Sequence, residues 1–155
     1  MKKLSTSVSE TLRIGKLLAR KLCGGEIILL SGSLGAGKTV LAKGIAQGLG
    51  IDKHNVVSPT FVLLRVHKGK HLLHHFDFYR IKSPKDILAL GYEEYLYSDA
   101  VTVIEWPERL KFLLPKEFLK IKLFCKSRNQ RVLEFIAKGS RYKQLLEKVS
   151  ENIRN

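Results

Sequence analysis

Residues 27–39 read IILLSGSLGAGKT, an apolar run followed by a glycine-rich loop that ends in Lys38 and Thr39. Residues 32–39 match the pattern G-x-x-x-x-G-K-T in full, and an amphipathic stretch follows them. A strand that enters such a loop and a helix that leaves it form the context in which the pattern indicates phosphate binding. The spacing therefore predicts a strand, a phosphate-binding loop and a helix.

Each residue type in this loop has a physical role in holding a phosphate. Consecutive backbone N–H groups point at the anion, which also lies at the positive end of the following helix. Gly35 and Gly37 supply backbone conformations that residues with a Cβ disfavour. We expect Lys38 to bridge the β- and γ-phosphates of a nucleoside triphosphate, and the Thr39 hydroxyl to be a Mg²⁺ ligand. The predicted nucleotide-binding residues are Gly32, Ser33, Leu34, Gly35, Ala36, Gly37, Lys38, Thr39 and Val40.

Length and composition predict a single domain over residues 1–155 with an ordinary globular core. No apolar block follows Met1, and no stretch approaches the roughly 20 apolar residues that span a bilayer, so we expect a cytoplasmic protein with no membrane partner. The net charge of +14 is unusual. From Arg109 onward thirteen Lys or Arg residues accompany four Glu residues, a balance that attracts a polyanion such as RNA or an acidic partner and also fits a merely solvated basic face.

Patterning along the rest of the chain predicts strands that alternate with helices. A capping box at residues 7–10 begins a helix that ends at Gly24-Gly25, and hairpins are predicted from strands at 61–66 with 71–77 and at 118–125 with 132–137. Short helices begin at Pro84 and Pro107, a buried strand covers 101–104, and a last helix starts at 139–140. The predicted fold is α/β, a P-loop NTPase-like three-layer fold whose mostly parallel central sheet carries antiparallel hairpins.

Two acidic residues compete for the metal shell that a P-loop ATPase needs at a strand end. Glu105 follows an apolar run, and Asp77 ends a more polar strand. The spacing leaves open which of them binds the metal and which orients water. Ser58-Pro59-Thr60 predicts a stiff turn after the helix that follows the loop. Two interpretations stay open: a hydroxyl of this segment senses the γ-phosphate, or the segment is a plain turn with no role in binding.

Other patterns narrow the class of protein. The guanine-reading sequence N-K-x-D is absent, and no arginine-rich lid insertion of a small-metabolite kinase is evident. His74 and His75 suggest a metal site at first sight. Neighbouring residues on a strand point to opposite faces, however, so the sequence does not favour a metal at this pair.

Five motifs in this order resemble the TsaE (YjeE) family, and the resemblance spans about residues 5–140. They are G-x-L-G-A-G-K-T at Gly32–Thr39, S-P-T-F at Ser58–Phe61, H-x-D-x-Y-R at His75–Arg80, G-x-E-E at Gly91–Glu94 and I-E-W-P-E at Ile104–Glu108. The loop alone is generic to a superfamily, whereas the ordered set is specific.

The resemblance implies a bacterial ATPase, with ATP and Mg²⁺ as cofactors, that assists the TsaD–TsaB pair in forming N6-threonylcarbamoyladenosine at position 37 of tRNA. It also implies that Asp77 is the Walker B aspartate, that Thr60 lies in a switch-like loop, and that Glu105 lies near the metal and the attacking water with Trp106 packed beside it. The catalytic residues so implied are Lys38, Glu105, Asp77 and Thr60, and the metal ligands are Thr39, Asp77 and Glu105.

Three functional hypotheses fit these features of the sequence. The first is a slow ATPase whose hydrolysis resets the partner complex, with Arg80 as a candidate transition-state cation in the chain itself. The second is a nucleotide-gated binding module whose hydrolysis is incidental, and the third is a small P-loop metabolite kinase. Direct tRNA contact through the basic C-terminal region, including Arg141, Lys143 and Lys148, is a separate prediction.

Overall fold

One sheet organises the chain in the computed structural model, which describes residues 1–56 and 62–154. Its seven strands within those ranges are ordered β1-β7-β6-β2-β5-β4-β3. They are β1 (Lys2–Ser5), β2 (Ile27–Gly32), β3 (Leu64–Lys68), β4 (Leu72–Asp77), β5 (Val101–Glu105), β6 (Phe118–Cys125) and β7 (Arg131–Lys138).

The four central strands, β6, β2, β5 and β4, are parallel, and antiparallel pairs flank them on both sides. The apolar run of β2 and all of β5 are buried, as expected of parallel strands covered on both faces. Because β2 lies between β5 and β6, its carboxyl end opens at the middle of one sheet edge. This arrangement confirms the predicted α/β fold with its parallel centre and attached hairpins.

Helices flank the sheet in two groups. They are α1 (Val8–Ala19), α2 (Lys38–Gly48), α3 (Pro84–Ala89), α4 (Tyr92–Leu96) and α5 (Ser140–Arg154), with 3-10 turns at Lys53–Asn55 and Pro107–Leu113. In one group α1 packs against α2 and α5, and α5 also contacts β6 and β7. In the other, α3 packs against α4 and against the 3-10 turn at 107–113, which lies over β2.

Local sequence explains where several of these helices begin. The Ser7 Oγ accepts the Glu10 N–H at 3.1 Å, and the Glu10 carboxylate accepts the Thr6 N–H at 2.7 Å. This is close to the predicted capping box, although the glutamate bonds one residue earlier than in the usual form. The Ser83 Oγ caps α3 by accepting the Lys85 N–H at 3.3 Å, and Pro84 lies in the first turn of this helix as predicted.

Glycines set how closely α1 and α2 approach. A Cβ placed on Gly15 would lie 2.6 Å from the Leu41 carbonyl oxygen and 2.8 Å from the Ile45 nitrogen. Ile14 and Leu18 of α1 are fully buried in the resulting interface. The close crossing fixes α2, and therefore the loop that precedes it, against the body of the protein.

Several elements differ from the sequence prediction. Helix α1 ends at Ala19, before Gly24-Gly25, and strand β3 begins at Leu64. Strand β1 and helix α4 were not predicted at all. The predicted start of the first hairpin at Phe61 and the Ser58-Pro59-Thr60 turn lie outside the described residues.

The structure also bears on membrane insertion. Among the described residues, no helix has both the length and the apolar character needed to cross a bilayer.

Candidate nucleotide site

The loop after β2 has the backbone geometry that its glycines predict. Gly35 and Gly37 have φ angles of +77° and +103°, in the left-handed region that favours glycine. Helix α2 begins at Lys38, with Gly37 as a cap residue that has no side chain to bond the first N–H groups. Its first turn holds no acidic residue, so the positive helix end faces the loop unscreened.

Lys38 is buried at the base of this loop. Its Nζ donates hydrogen bonds to the carbonyl oxygens of Gly32 at 2.6 Å and Ser33 at 2.8 Å. The same atom lies 4.2 Å from the centroid of the Trp106 ring, within the range of a cation–π contact. Burial lowers the pKa of the Lys38 amine, and the nearby Glu105 carboxylate partly opposes that shift. The Lys38 ammonium is thus held inside the loop by the Gly32 and Ser33 carbonyls, which the oxygens of a bound anion can replace.

A chain of hydrogen bonds runs from the loop into the sheet. The Thr39 Oγ1 donates to Glu105 Oε2 at 3.1 Å, and Glu105 Oε1 lies 2.8 Å from His75 Nε2. Glu105 is 2% exposed and His75 is fully buried. Both carboxylate oxygens of Glu105 therefore have a polar partner, which fixes the plane of the carboxylate beside Thr39.

Asp77 lies beside Glu105 at the ends of neighbouring parallel strands. The two residues are paired in the register of β4 and β5, and Asp77 is 3% exposed. The Asp77 Oδ1 accepts the Tyr79 N–H at 2.9 Å. A hydroxyl and two carboxylates thus line one cleft, and oxygen donors of this kind are what Mg²⁺ prefers. The predicted metal ligands Thr39, Asp77 and Glu105 are brought together.

The cleft has a volume of about 340 Å³. Most of the residues predicted from sequence line it, and the aromatic rings of Tyr79 and Trp106, 5.0 Å apart, form one wall. The lining residues are Leu34, Gly35, Gly37, Lys38, Thr39, Val40, Asp77, Tyr79, Glu105 and Trp106.

The remaining described residues that the sequence predicted for the site do not line the cleft. Gly32 and Ser33 contribute carbonyls to Lys38, and Ala36 is fully buried within the loop. Arg80 does not line this cleft but a neighbouring one, together with Lys82 and Arg109. Thr60 lies outside the described residues, so its predicted role stays a prediction.

Sequence reasoning missed two residues that support the site. His75 holds Glu105, and the signal was available in strand alternation because His75 and Asp77 lie two apart on one face of β4. Arg131 of β7 donates from Nε to the Ala36 carbonyl at 3.0 Å and from Nη1 to Ser127 at 2.8 Å. Arg131 thus connects the phosphate loop to the β6–β7 turn, and no local sequence pattern predicts this contact.

A second cleft of about 210 Å³ opens on the other side of Gly35 and Gly37. The start of α1 and the β6–β7 turn line its far wall, and it shares Val40 with the first cleft. The residues of that far wall are Ser7, Val8, Thr11, Arg128, Asn129 and Arg131. The phosphate loop therefore lies between the two clefts, and Gly35 and Gly37 line both of them.

A strand, a glycine loop and a helix at the centre of a parallel sheet, with carboxylates at the ends of adjacent strands, define a P-loop protein of the α/β class. The family model described as "Threonylcarbamoyl adenosine biosynthesis protein TsaE" matches residues 5–133. The chain belongs to the TsaE family, as its ordered motifs indicated.

Relatives with this name are similar over most of the chain. The "tRNA threonylcarbamoyladenosine biosynthesis protein TsaE" of Treponema pallidum is 42% identical over 123 residues, which cover 79% of this chain and 90% of that protein. The Bacillus subtilis protein of the same name is 38% identical over 149 residues, covering 94% and 92%. The crystal structure of Bacillus subtilis YdiB superposes with a TM-score of 0.82 at 31% identity, covering 98% of this chain and 95% of that one.

Proposed function

We propose that this chain is a Mg²⁺-dependent ATPase that supports the TsaD–TsaB complex in forming N6-threonylcarbamoyladenosine at position 37 of tRNAs. The observation that carries the enzymatic part is the convergence of Lys38, Thr39, Asp77 and Glu105 on one cleft behind an open helix N-terminus. The names of the relatives support the pathway.

The residues of the cleft divide the work of phosphoryl transfer. Lys38 exchanges its loop carbonyls for the β- and γ-phosphates, whose charge the backbone N–H groups of the loop also offset. Thr39, Asp77 and Glu105 would hold Mg²⁺, which when bound would supply positive charge to offset the negative charge of the phosphates. Glu105, fixed by His75, orients the attacking water. Trp106 and Tyr79 close one wall against bulk water.

The second cleft is suited to the rest of the nucleotide. It begins at Gly35 and Gly37, where the phosphates lie in this proposal, and continues between α1 and the β6–β7 turn. The Ser7 hydroxyl and the Asn129 amide offer hydrogen bonds to a ribose or a base, whereas the Thr11 hydroxyl is buried and bonded to Ser5 and Ser7.

The test is ATP turnover by the purified chain, alone and with the TsaD–TsaB pair, in wild type, Lys38→Ala and Lys43→Ala. Lys43 lies on the same helix outside the cleft and is the matched control. We expect the pair to stimulate turnover in wild type and in Lys43→Ala, and Lys38→Ala to lose at least 100-fold, since the loop lysine acts on the transition state. Undiminished turnover or undiminished multiple-round tRNA modification by Lys38→Ala would contradict the proposal.

A nucleotide-gated binding module is the second candidate, and one observation favours it. Both oxygens of Glu105 are engaged, one by Thr39 and one by His75, so an attacking water has to share or displace one of these contacts before the carboxylate acts on it. Glu105→Ala separates the two candidates in repeated cycles of tRNA modification when the variant still binds ATP, which is measured alongside because Glu105 is also placed at the metal. Cycling that continues without ATP cleavage favours the module, and a stall after the first cycle favours the ATPase.

The structure modifies the predicted tRNA contact through the C-terminal region. Arg141 is not a free surface cation, because its Nη2 pairs with Glu26 at 2.9 Å and donates to the Gly24 carbonyl at 2.7 Å. Lys143 and Lys148 are exposed on α5. Direct binding of tRNA by this helix stays a prediction.

A further inference from the structure

The three strands β1, β7 and β6 bury one face, and their opposite face is open except at Phe118, which is buried. On the buried side the apolar residues Leu119, Ile121, Leu123, Leu133 and Phe135 face helices of the first group, with α5 in contact with both β6 and β7. Strand alternation places the intervening residues on the opposite side. We call that side the open sheet face, formed by Lys2, Leu4, Lys120, Lys122, Phe124, Val132, Glu134, Ile136 and Lys138.

An apolar row crosses the open sheet face at one end. Register pairs Leu4 with Val132 and Val132 with Phe124, so the three side chains lie side by side across the strands. Leu4 is 38% exposed and Phe124 is 50% exposed. Ile136, 36% exposed, is a further apolar side chain on this face. The sheet thus presents apolar groups where its other face has a helix layer.

Lysines surround this row. Register places Lys2, Glu134 and Lys122 side by side in the next row, and Lys2 pairs with Glu134 at 3.5 Å. Lys120 lies beside Ile136. Four lysines thus share the face with one glutamate. The complementary surface for this pattern has an apolar centre and a carboxylate rim.

The open sheet face is continuous with the phosphate loop. Gly32, the first loop residue, pairs with Leu123, immediately before Phe124 of the apolar row. A cleft of about 700 Å³ joins the two regions, lined by Gly32, Ser33 and Trp106 on the loop side and by Lys120, Lys122 and Phe124 on the sheet side. A partner that enters this cleft would contact Gly32 and Ser33, the residues whose carbonyls bind Lys38.

We propose that the open sheet face docks a protein surface with an apolar centre and a carboxylate rim, and that this surface belongs to the partner complex of the proposed function, on which the inference rests. A second copy of the chain is disfavoured because each copy carries a net charge of +14 and would oppose lysines to lysines. Nucleic acid is disfavoured because Phe124 is the one exposed aromatic ring among the described residues of this face. The other apolar side chains, Leu4, Val132 and Ile136, are aliphatic and do not stack on bases, and Glu134 lies among the lysines.

The experiment measures the affinity of the purified TsaD–TsaB pair for four forms of the chain. They are wild type, Lys120→Glu/Lys122→Glu, Phe124→Ser, and the control Lys143→Glu/Lys148→Glu, which makes the same charge change on α5. We expect both face variants to weaken binding about tenfold or more and the control to change it less than about threefold, because a contacting charge costs more than a distant one. Thermal melting of each form checks that the fold is retained.

Three other outcomes would overturn the inference, and each identifies a different part of it as wrong. If wild type binds the pair and the face variants bind equally well, the docking face is wrong and the proposed function stands. If wild type does not bind the pair at all, the proposed partnership fails and the inference fails with it. If the face variants bind the pair normally but lose affinity for tRNA measured alone, the face is a nucleic-acid surface and the protein partner is wrong.

Discussion

His75 is a buried polar residue whose position is explained by a single neighbour. Its Nε2 meets Glu105, while its Nδ1 has no hydrogen-bond partner among the described residues. Burying a polar ring costs free energy unless its nitrogen atoms form hydrogen bonds. A buried histidine with one unbonded nitrogen therefore lowers the stability of the strand interior. Its contribution is to hold Glu105 toward Thr39, as residues behind metal ligands commonly do.

Replacing His75 by leucine is expected to raise the Mg²⁺ concentration needed for half-maximal ATP hydrolysis by about 10- to 100-fold. The reason is that Glu105 Oε1 loses its buried donor and the carboxylate is free to turn. His75→Gln offers an N–H from a similar distance along the side chain and should restore much of the loss. The readouts are Mg²⁺ titrations of hydrolysis and Mn²⁺ binding measured by electron paramagnetic resonance. Equal Mn²⁺ affinity in wild type and His75→Leu would contradict the positioning role.

At the scale of elements, prediction succeeded where the sequence itself carries the pattern. The β6–β7 hairpin shows clear alternation, and Pro84 and Ser7 mark helix starts that the structure reproduces. Strand β1 was missed because a four-residue segment with two lysines has no strand signal and is extended only because it pairs with β7. Helix α4 has five residues, too few to show a helical period.

The α1–α2 crossing provides a prediction at this scale. Gly15→Ala should destabilise the protein by about 1–2 kcal/mol, because the cost of overpacking a tight contact exceeds the helix propensity that alanine gains. The added Cβ meets backbone atoms of Leu41 and Ile45, which cannot rotate away. Urea unfolding measures the change, with Ser9→Ala on the exposed side of α1 as control. A Gly15→Ala protein as stable as wild type would show that the two helices separate at little cost.

For the whole molecule, the phosphate loop could be predicted from sequence and its supports could not. Eight consecutive residues contain the loop, and strand ends supplied Asp77 and Glu105. By contrast, Arg131 contacts Ala36, which lies 95 residues earlier in the chain. Lys120 and Lys122 lie beside the loop only because β6 pairs with β2. Such contacts depend on the order of the strands in the sheet, and no local sequence pattern predicts that order.

Nucleotide binding should stabilise the whole fold. ATP with Mg²⁺ at 100 times its Kd would add about 2.7 kcal/mol, which for a chain of this size raises Tm by roughly 5–10 °C. Lys38→Ala should show little of this rise, and Lys43→Ala should show all of it. Differential scanning calorimetry with and without ATP and Mg²⁺ measures the shift. A full shift in Lys38→Ala would place the nucleotide away from the loop.

The pairing of β1 with β7 also constrains the order in which the protein can be completed during synthesis. The Met1 amino group donates to the Phe135 carbonyl at 3.2 Å, and the Phe135 N–H donates to the Met1 carbonyl at 2.8 Å. Strand β1 is synthesised well before β7 and must therefore wait for residues 131–138 before it finds its neighbour. During that interval Lys2 and Lys3 keep the unpaired segment charged, which discourages it from adding to the edge of another nascent sheet.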